Sequence, residues 1–208
     1  MQTISKIILS VLSLFFLSSS AIAEQSLTSD QLVEMLQEKK PVQKGPRTLS
    51  IEELELLQFN KANIERVKSG QNLTVGDRQL LTHFVKQKKS PTVDLEVYFE
   101  YNSAVITPQA TKVLITLGKA LEDQKLTGST FMVAGHTDAK GSADYNQKLS
   151  QKRAKAVKTF LSSNFEINPK SLISVGYGEE ELKITGNPEA AGNRRVQIVN
   201  LGTEVANK

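Results

Sequence analysis

The 208 residues contain no cysteine. This excludes disulfide bridges, even in an oxidising compartment, and leaves no thiolate to complete a zinc cage or to carry a lipid. Histidine is nearly as scarce, with only His83 and His136 present. Two imidazoles without a thiol make no recognisable metal-ligand spacing, so neither a metal nor a cofactor is expected. Long apolar runs are missing after residue 23, so no transmembrane segment is expected in the mature chain. Charge of one sign is not gathered into a stripe either. The 26 basic and 22 acidic residues give a formal charge of +4, but they are interspersed, and no nucleic-acid partner is expected.

The one long apolar run lies at the start. Lys6 supplies a positive leader, Ile7 to Leu17 form an apolar core too short to span a bilayer, and Ala21-Ile22-Ala23 is a small-x-small cleavage site. Residues 1–23 therefore read as a signal peptide, with a mature chain beginning at Glu24; an uncleaved anchor is the alternative. Residues 24–91 read as a helical extension and linker. Ser29 is placed to cap a short helix carrying Leu32, Val33 and Leu36. Ser50 and Glu53 make a capping box for a second helix through Ile51, Leu54 and Leu57, and Thr74 opens a third with Leu80, Leu81, Phe84 and Val85. Lys86 to Lys89 with Ser90-Pro91 reads as a linker. These stripes either pack on each other and on the main domain, or form a docking surface for another protein.

Residues 92–208 alternate strand and helix patterns. Val93, Leu95, Val97 and Phe99 alternate with polar neighbours, as in a half-buried strand. Thr107-Pro108 opens a helix with Ala110, Val113, Leu114, Leu117 and Leu121 on one face. Phe131 to Ala134 is a buried strand that ends at Gly135-His136-Thr137-Asp138, and Ser142 caps a helix to about Ser162. Leu172 to Val175 and Val196 to Leu201 are the remaining strands. The pattern predicts a two-layer α/β sandwich.

Asp138 falls at the carboxyl end of a strand, where open α/β sheets bind ligands. Arg153 falls on the apolar stripe of the next helix, between Leu149 and Val157, with Asn146 one turn earlier. An Arg on such a stripe needs a partner or a route to water. Asp138 and Arg153 are either a structural ion pair or two halves of a site for a ligand with one group of each charge.

At these residues, about half of the chain, from Val93 to Gly202, resembles the OmpA-like peptidoglycan-binding domain of Gram-negative envelope proteins (the OmpA, Pal and MotB type). The resemblance rests on an ordered set: Phe99-Glu100-Tyr101-Asn102-Ser103-Ala104, Gly135-His136-Thr137-Asp138, Tyr145-Asn146, Leu149-Ser150, Arg153-Ala154, Gly176-Tyr177-Gly178-Glu179 and Asn193-Arg194-Arg195-Val196. It implies a βαβαββ mixed sheet with helices on one face. It also implies a periplasmic, cell-wall-associated protein that grips the diaminopimelate of the peptidoglycan stem peptide without cleaving it. Asp138 would take the ligand's ammonium and Arg153 its carboxylate. Thr137, Asn146 and Leu149, with Tyr101 and Asn102 after the first strand, would complete the wall. One of Arg194 and Arg195 should face the pocket, because adjacent strand residues point to opposite faces; Arg195 is expected to be that residue. For Tyr101 and Leu149, ordinary packing is the competing reading.

Two other functions compete. His136 beside Asp138 suggests acid–base or metal chemistry, but His83 is far away in sequence and no third ligand is evident, so no catalytic residue is assigned. Alternatively, the chain is a periplasmic adaptor whose residues 24–91 bind another envelope protein.

Overall fold

A computed structural model describes residues 27–38 and 73–203, together with the isolated positions 51, 58, 62, 65 and 66. The expected signal peptide, the Ser50 capping box and most of the second expected helix lie outside the described residues. The first helix, α1 (Ser29–Leu36), is capped by Thr28: its side chain accepts from Gln31 N at 3.3 Å, and Gln31 Oε1 accepts from Thr28 N at 2.8 Å. The cap therefore sits one residue before the expected Ser29, because this reciprocal pair needs the glutamine three positions on. The next described helix, α2 (Val75–Lys88), opens as expected on Thr74, in a reciprocal box with Asp77. It ends where Lys89 turns left-handed, at φ 50°.

Strand β1 (Thr92–Leu95) is shorter than its alternating pattern. It pairs antiparallel with β4 (Val196–Thr203), and that ladder ends at Leu95 opposite Val196, where β4 begins. Beyond it the chain folds on itself. Glu100 N donates to Val105 O, Thr107 N donates to Tyr98 O, and Phe99 bridges Ile106. Tyr101 and Asn102 form the tip of this turn. Helix α3 (Pro108–Leu121) follows its Thr107 cap, with Pro at the first turn. Then come β2 (Ser129–His136), α4 (Ala143–Asn164, capped by Ser142) and β3 (Leu172–Gly178).

The sheet order is β1-β4-β2-β3, with β2 and β3 parallel and β4 antiparallel to both its neighbours. This is the mixed βαβαββ sheet that the resemblance implied. On one face, Val93, Leu95, Phe131, Val133, Val196 and Ile198 meet Leu114 and Leu117 of α3 and Val157 and Leu161 of α4; Leu32, Val33 and Leu36 of α1 join the same cluster. On the other face, Met132, Ala134, Ile173, Val175, Tyr177 and Val199 are covered by Leu81 of α2. The domain's own helices thus share one face, and the extension supplies cover for both.

The segment expected to be a linker is stitched to the sheet. Asn200 N donates to Pro91 O at 2.9 Å, Asn200 Nδ2 donates to Leu36 O at 2.9 Å, and Lys88 Nζ donates to Leu201 O at 2.8 Å while pairing with Glu38. A basic run looks like linker in sequence because lysines are rarely buried. Here one of them closes the carbonyl end of β4, which no local pattern announces.

Candidate ligand-binding site

Helix α4 lies unusually close to the strands beneath it. A Cβ on Gly135 would sit 2.4 Å from the Ser150 carbonyl oxygen, and one on Gly176 would sit 2.4 Å from Gln151 N. Only hydrogen fits at these crossings. The helix replies with polar side chains. Ser150 Oγ accepts from Gly178 N, Gln151 accepts from Gly176 N and donates to Ser174 O, and Gln147 donates to Gly176 O. These bonds occupy main-chain groups of β3, a strand at the edge of the sheet. The close approach brings the first three turns of α4 beside the loop that leaves β2.

That loop carries Asp138, which is 6% exposed. Its Oδ2 accepts from Arg194 Nη1 at 2.6 Å and its Oδ1 from Lys140 N at 3.3 Å. Thr137 N donates to Gly178 O, and Ala139 N to Pro188 O. Asn146, fully within the protein, donates from Nδ2 to the backbone oxygens of Asp138 (3.2 Å) and Lys140 (3.0 Å) and to Glu179 Oε2 (2.6 Å). Asn146 therefore shapes the loop, and its amide nitrogen is committed to the protein.

Arg153 does not pair with Asp138. Its Nε donates to Ser103 O at 3.0 Å, and its guanidinium lies over the Phe99 ring, 4.9 Å from the centroid. Burial pushes its pKa down and Arg194 adds to that, against the upward pull of Tyr145 and Asp138. Arg153 and Arg194 line one cleft of about 250 Å³ with Phe99, Tyr98 and Gly192. Asp138, after β2, is thus bound to Arg194, just before β4, and Arg194 shares a cleft with Arg153 of α4. Glu96 also lines the cleft, so its walls carry two guanidiniums and one carboxylate, with Arg194 in addition paired to Asp138.

The structure corrects the expectation for Arg195. Val196 and Ile198 point toward the helices, so parity along the chain sends Arg195 to the opposite face and Arg194 to the helix side. Arg195 is 8% exposed; it donates to Asp94 Oδ1 at 3.2 Å and to Glu181 O at 3.1 Å. The other expected wall residues are distributed unevenly. Thr137 is buried, with an unpartnered hydroxyl, and Leu149 is half-buried. Tyr101 is 98% exposed, and Asn102 is exposed with φ 53°. Neither residue lines the cleft, although Tyr98 and Phe99 of the same turn do.

His136 faces the other way from Asp138. It stacks flat on Tyr177, with ring centroids 5.3 Å apart, and neither ring nitrogen has a hydrogen-bond partner. Burial, with Arg195 nearby, lowers its pKa to about 3 despite Asp94. This is a neutral core imidazole behind the sheet. Among the described residues, no group of three or more His, Cys, Asp or Glu could hold a metal ion, and no helix is long and apolar enough to cross a membrane.

Sequence reasoning did not single out Glu179, Ser103 or Phe99 as neighbours of the charged groups, and it placed Arg194 second. The parity of Val196 and Ile198 was the available signal for Arg194. Asn193, which entered only as the first residue of the Asn193-Arg194-Arg195-Val196 motif, is fully buried and ties Ile184, Asn187 and Pro188 into the loop beside Asp138.

A profile of the OmpA family matches residues 98–196. The chain is 40% identical over 103 residues to a peptidoglycan-associated lipoprotein of Pseudomonas putida, covering 49% of this chain and 60% of that protein. It is 30% identical over 151 residues to a peptidoglycan-associated lipoprotein of Buchnera aphidicola, covering 67% of this chain and 84% of that protein. Among solved structures, the peptidoglycan-associated lipoprotein from Burkholderia pseudomallei is 27% identical with a TM-score of 0.42, covering 50% of this chain and 86% of that one. The chain spans about three fifths of the length of the first Pseudomonas relatives.

Proposed function

The chain belongs to the OmpA family, and from that premise we propose that it binds peptidoglycan in the periplasm, without catalysis, by gripping the free end of diaminopimelate in the stem peptide. The observation that carries this reading is the link from Asp138 to Arg194, 2.6 Å apart, and the cleft that Arg194 shares with Arg153. The ligand's carboxylate lies between Arg153 and Arg194, and its ammonium shares the Asp138 carboxylate with Arg194. Charge-assisted bonds of this kind are the strong ones, and a planar guanidinium suits a carboxylate. Thr137, whose buried hydroxyl has no partner in the protein, borders the same loop. Asn146 and Leu149 support the wall, and Tyr101 and Asn102 reach it only if their turn folds inward.

A binding role rather than an enzymatic one fits the position of His136, which is turned away from Asp138 and held neutral. The protein is then a cell-wall-associated component of the envelope. Sedimentation of the full-length chain with purified sacculi tests the proposal, with Asp138→Ala as the paired control. Muropeptide cleavage products in the same incubation would instead establish an enzyme.

A further inference from the structure

Glu179, Glu180 and Glu181 come directly after β3, and each reaches a different part of the molecule. Glu179 Oε2 accepts from Asn146 Nδ2 at 2.6 Å, the nitrogen that also holds the Asp138 and Lys140 carbonyls. Glu180 turns toward the extension and takes both prongs of Arg78 on α2: Nε to Oε2 at 2.9 Å, with a second contact from Nη2 to Oε1. Glu181 pairs with Lys86 of α2 at 3.1 Å, and its carbonyl accepts from Arg195.

The two ion pairs to α2 are not equivalent. Lys86 is largely exposed, and a pair with so exposed a cation contributes little. Arg78 is 5% exposed, and its remaining prong donates to Leu73 O at 2.8 Å. A buried guanidinium with three fixed acceptors holds its carboxylate in one place. Glu180 is bonded through the backbone to Glu179, so a displacement of one moves the other.

We infer that Arg78 is a positioning residue for the Asp138 site. It fixes Glu180, hence Glu179, hence Asn146, and through Asn146 the backbone of residues 138–140. The extension is then part of the binding apparatus, although it supplies no group to the ligand. The inference rests on the ligand reading above only for its effect on affinity; its effect on the loop stands apart from any ligand.

The test uses the full-length chain with Arg78→Gln, Arg78→Lys, Glu180→Gln and the double variant Arg78→Gln with Glu180→Gln. Leu81→Ala, which loosens α2 against the sheet without touching Glu180, is the control. Hydrogen exchange of residues 137–146 is followed without ligand, and affinity for a diaminopimelate stem peptide by calorimetry, at a temperature where circular dichroism shows every variant folded. Arg78→Gln should speed exchange at Lys140 and its neighbours and weaken the peptide about three- to tenfold, the range for a mutation acting through packed neighbours. Arg78→Lys should restore part of both. Glu180→Gln should match Arg78→Gln, and the double variant should be no worse than either. Unchanged exchange over 137–141 in folded Arg78→Gln overturns the inference. So does an equal response from Leu81→Ala. If the unsubstituted chain binds no peptide, the ligand reading fails alone, and the exchange result still decides the positioning role.

Discussion

Arg194 Nη1 lies 2.6 Å from Asp138 Oδ2, so the carboxylate at the end of β2 is already paired before any ligand arrives. The Arg194 side chain is about half exposed and the Asp138 side chain is nearly buried. The cation is therefore the solvent-facing member of the pair and the carboxylate the buried one.

Replacing Asp138 with Ala removes the carboxylate that pairs with Arg194, and it leaves Arg194 and Arg153 to repel each other. A hydrogen bond to a charged group contributes about 1.5–3 kcal/mol, so sacculus binding should weaken about ten- to a hundredfold. Arg153→Ala should do the same, with some loss of stability from its packing on Phe99. Melting curves and cosedimentation of both variants check this; wild-type binding by both folded variants would remove the assignment.

Arg194→Ala and Arg195→Ala should behave differently. Arg194→Ala should weaken binding with little change in melting temperature. Arg195→Ala leaves Asp94 with Lys183 and Gln197 but opens a buried site, and it should cost about 1–3 kcal/mol of stability. Denaturant titration beside a binding assay separates the two effects.

The zwitterion reading makes a ligand prediction. Lysine-type stem peptides lack the terminal carboxylate, and amidated diaminopimelate neutralises it. Either would leave Arg153 desolvated without an anion, which costs more than the contact itself. Calorimetry should show diaminopimelate peptides binding clearly better than both. Equal affinity for all three would mean that Arg153 is structural.

His136 predicts a pH dependence. Its folded pKa of about 3 lies below the ordinary 6.5, so the unfolded chain binds the proton first. The neutral imidazole's contribution is complete above about pH 6.5 and is lost as pH falls toward 3. Between pH 6.5 and 5.5, above the carboxylate range, stability should drop by roughly 1 kcal/mol. His136→Phe should flatten that segment of the curve while keeping the stack on Tyr177; an unchanged slope would refute the assignment.

Leu36 tests whether the extension belongs to the core. It is fully buried in the cluster shared with α3 and the sheet. Leu36→Ala should cost about 2–5 kcal/mol in a global unfolding transition. A change confined to local fraying would mean that α1 is an appendage.

Much of the fold was legible because its signals are local. Thr74, Thr107 and Ser142 cap helices within three residues of themselves, and the period of apolar residues marked α3, β2 and α4. Errors fell where pairing decides. The pattern over Val97 and Phe99 reads as strand, yet β4 offers no partner beyond Leu95. Ser29 was displaced as a cap by Thr28 because Gln31 completes the reciprocal bond only with Thr28. The Lys86 to Lys89 run reads as linker, although it forms the end of a packed helix.

The sequence alone determined the alternation of strands and helices, the loop that carries Asp138 at a strand end, and the helical face that carries Arg153. These depend on spacing along a single element. Tertiary structure decided the rest: that Arg194 and not Arg195 reaches Asp138 across 56 residues, that Arg78 reaches Glu180 across 102, and that α2 covers the back of the sheet. The register of β4 against β1 and β2 sets which face each arginine takes, and the packing of α2 sets which carboxylate Arg78 meets. Both are energies of contact between distant segments, which no window of neighbouring residues contains.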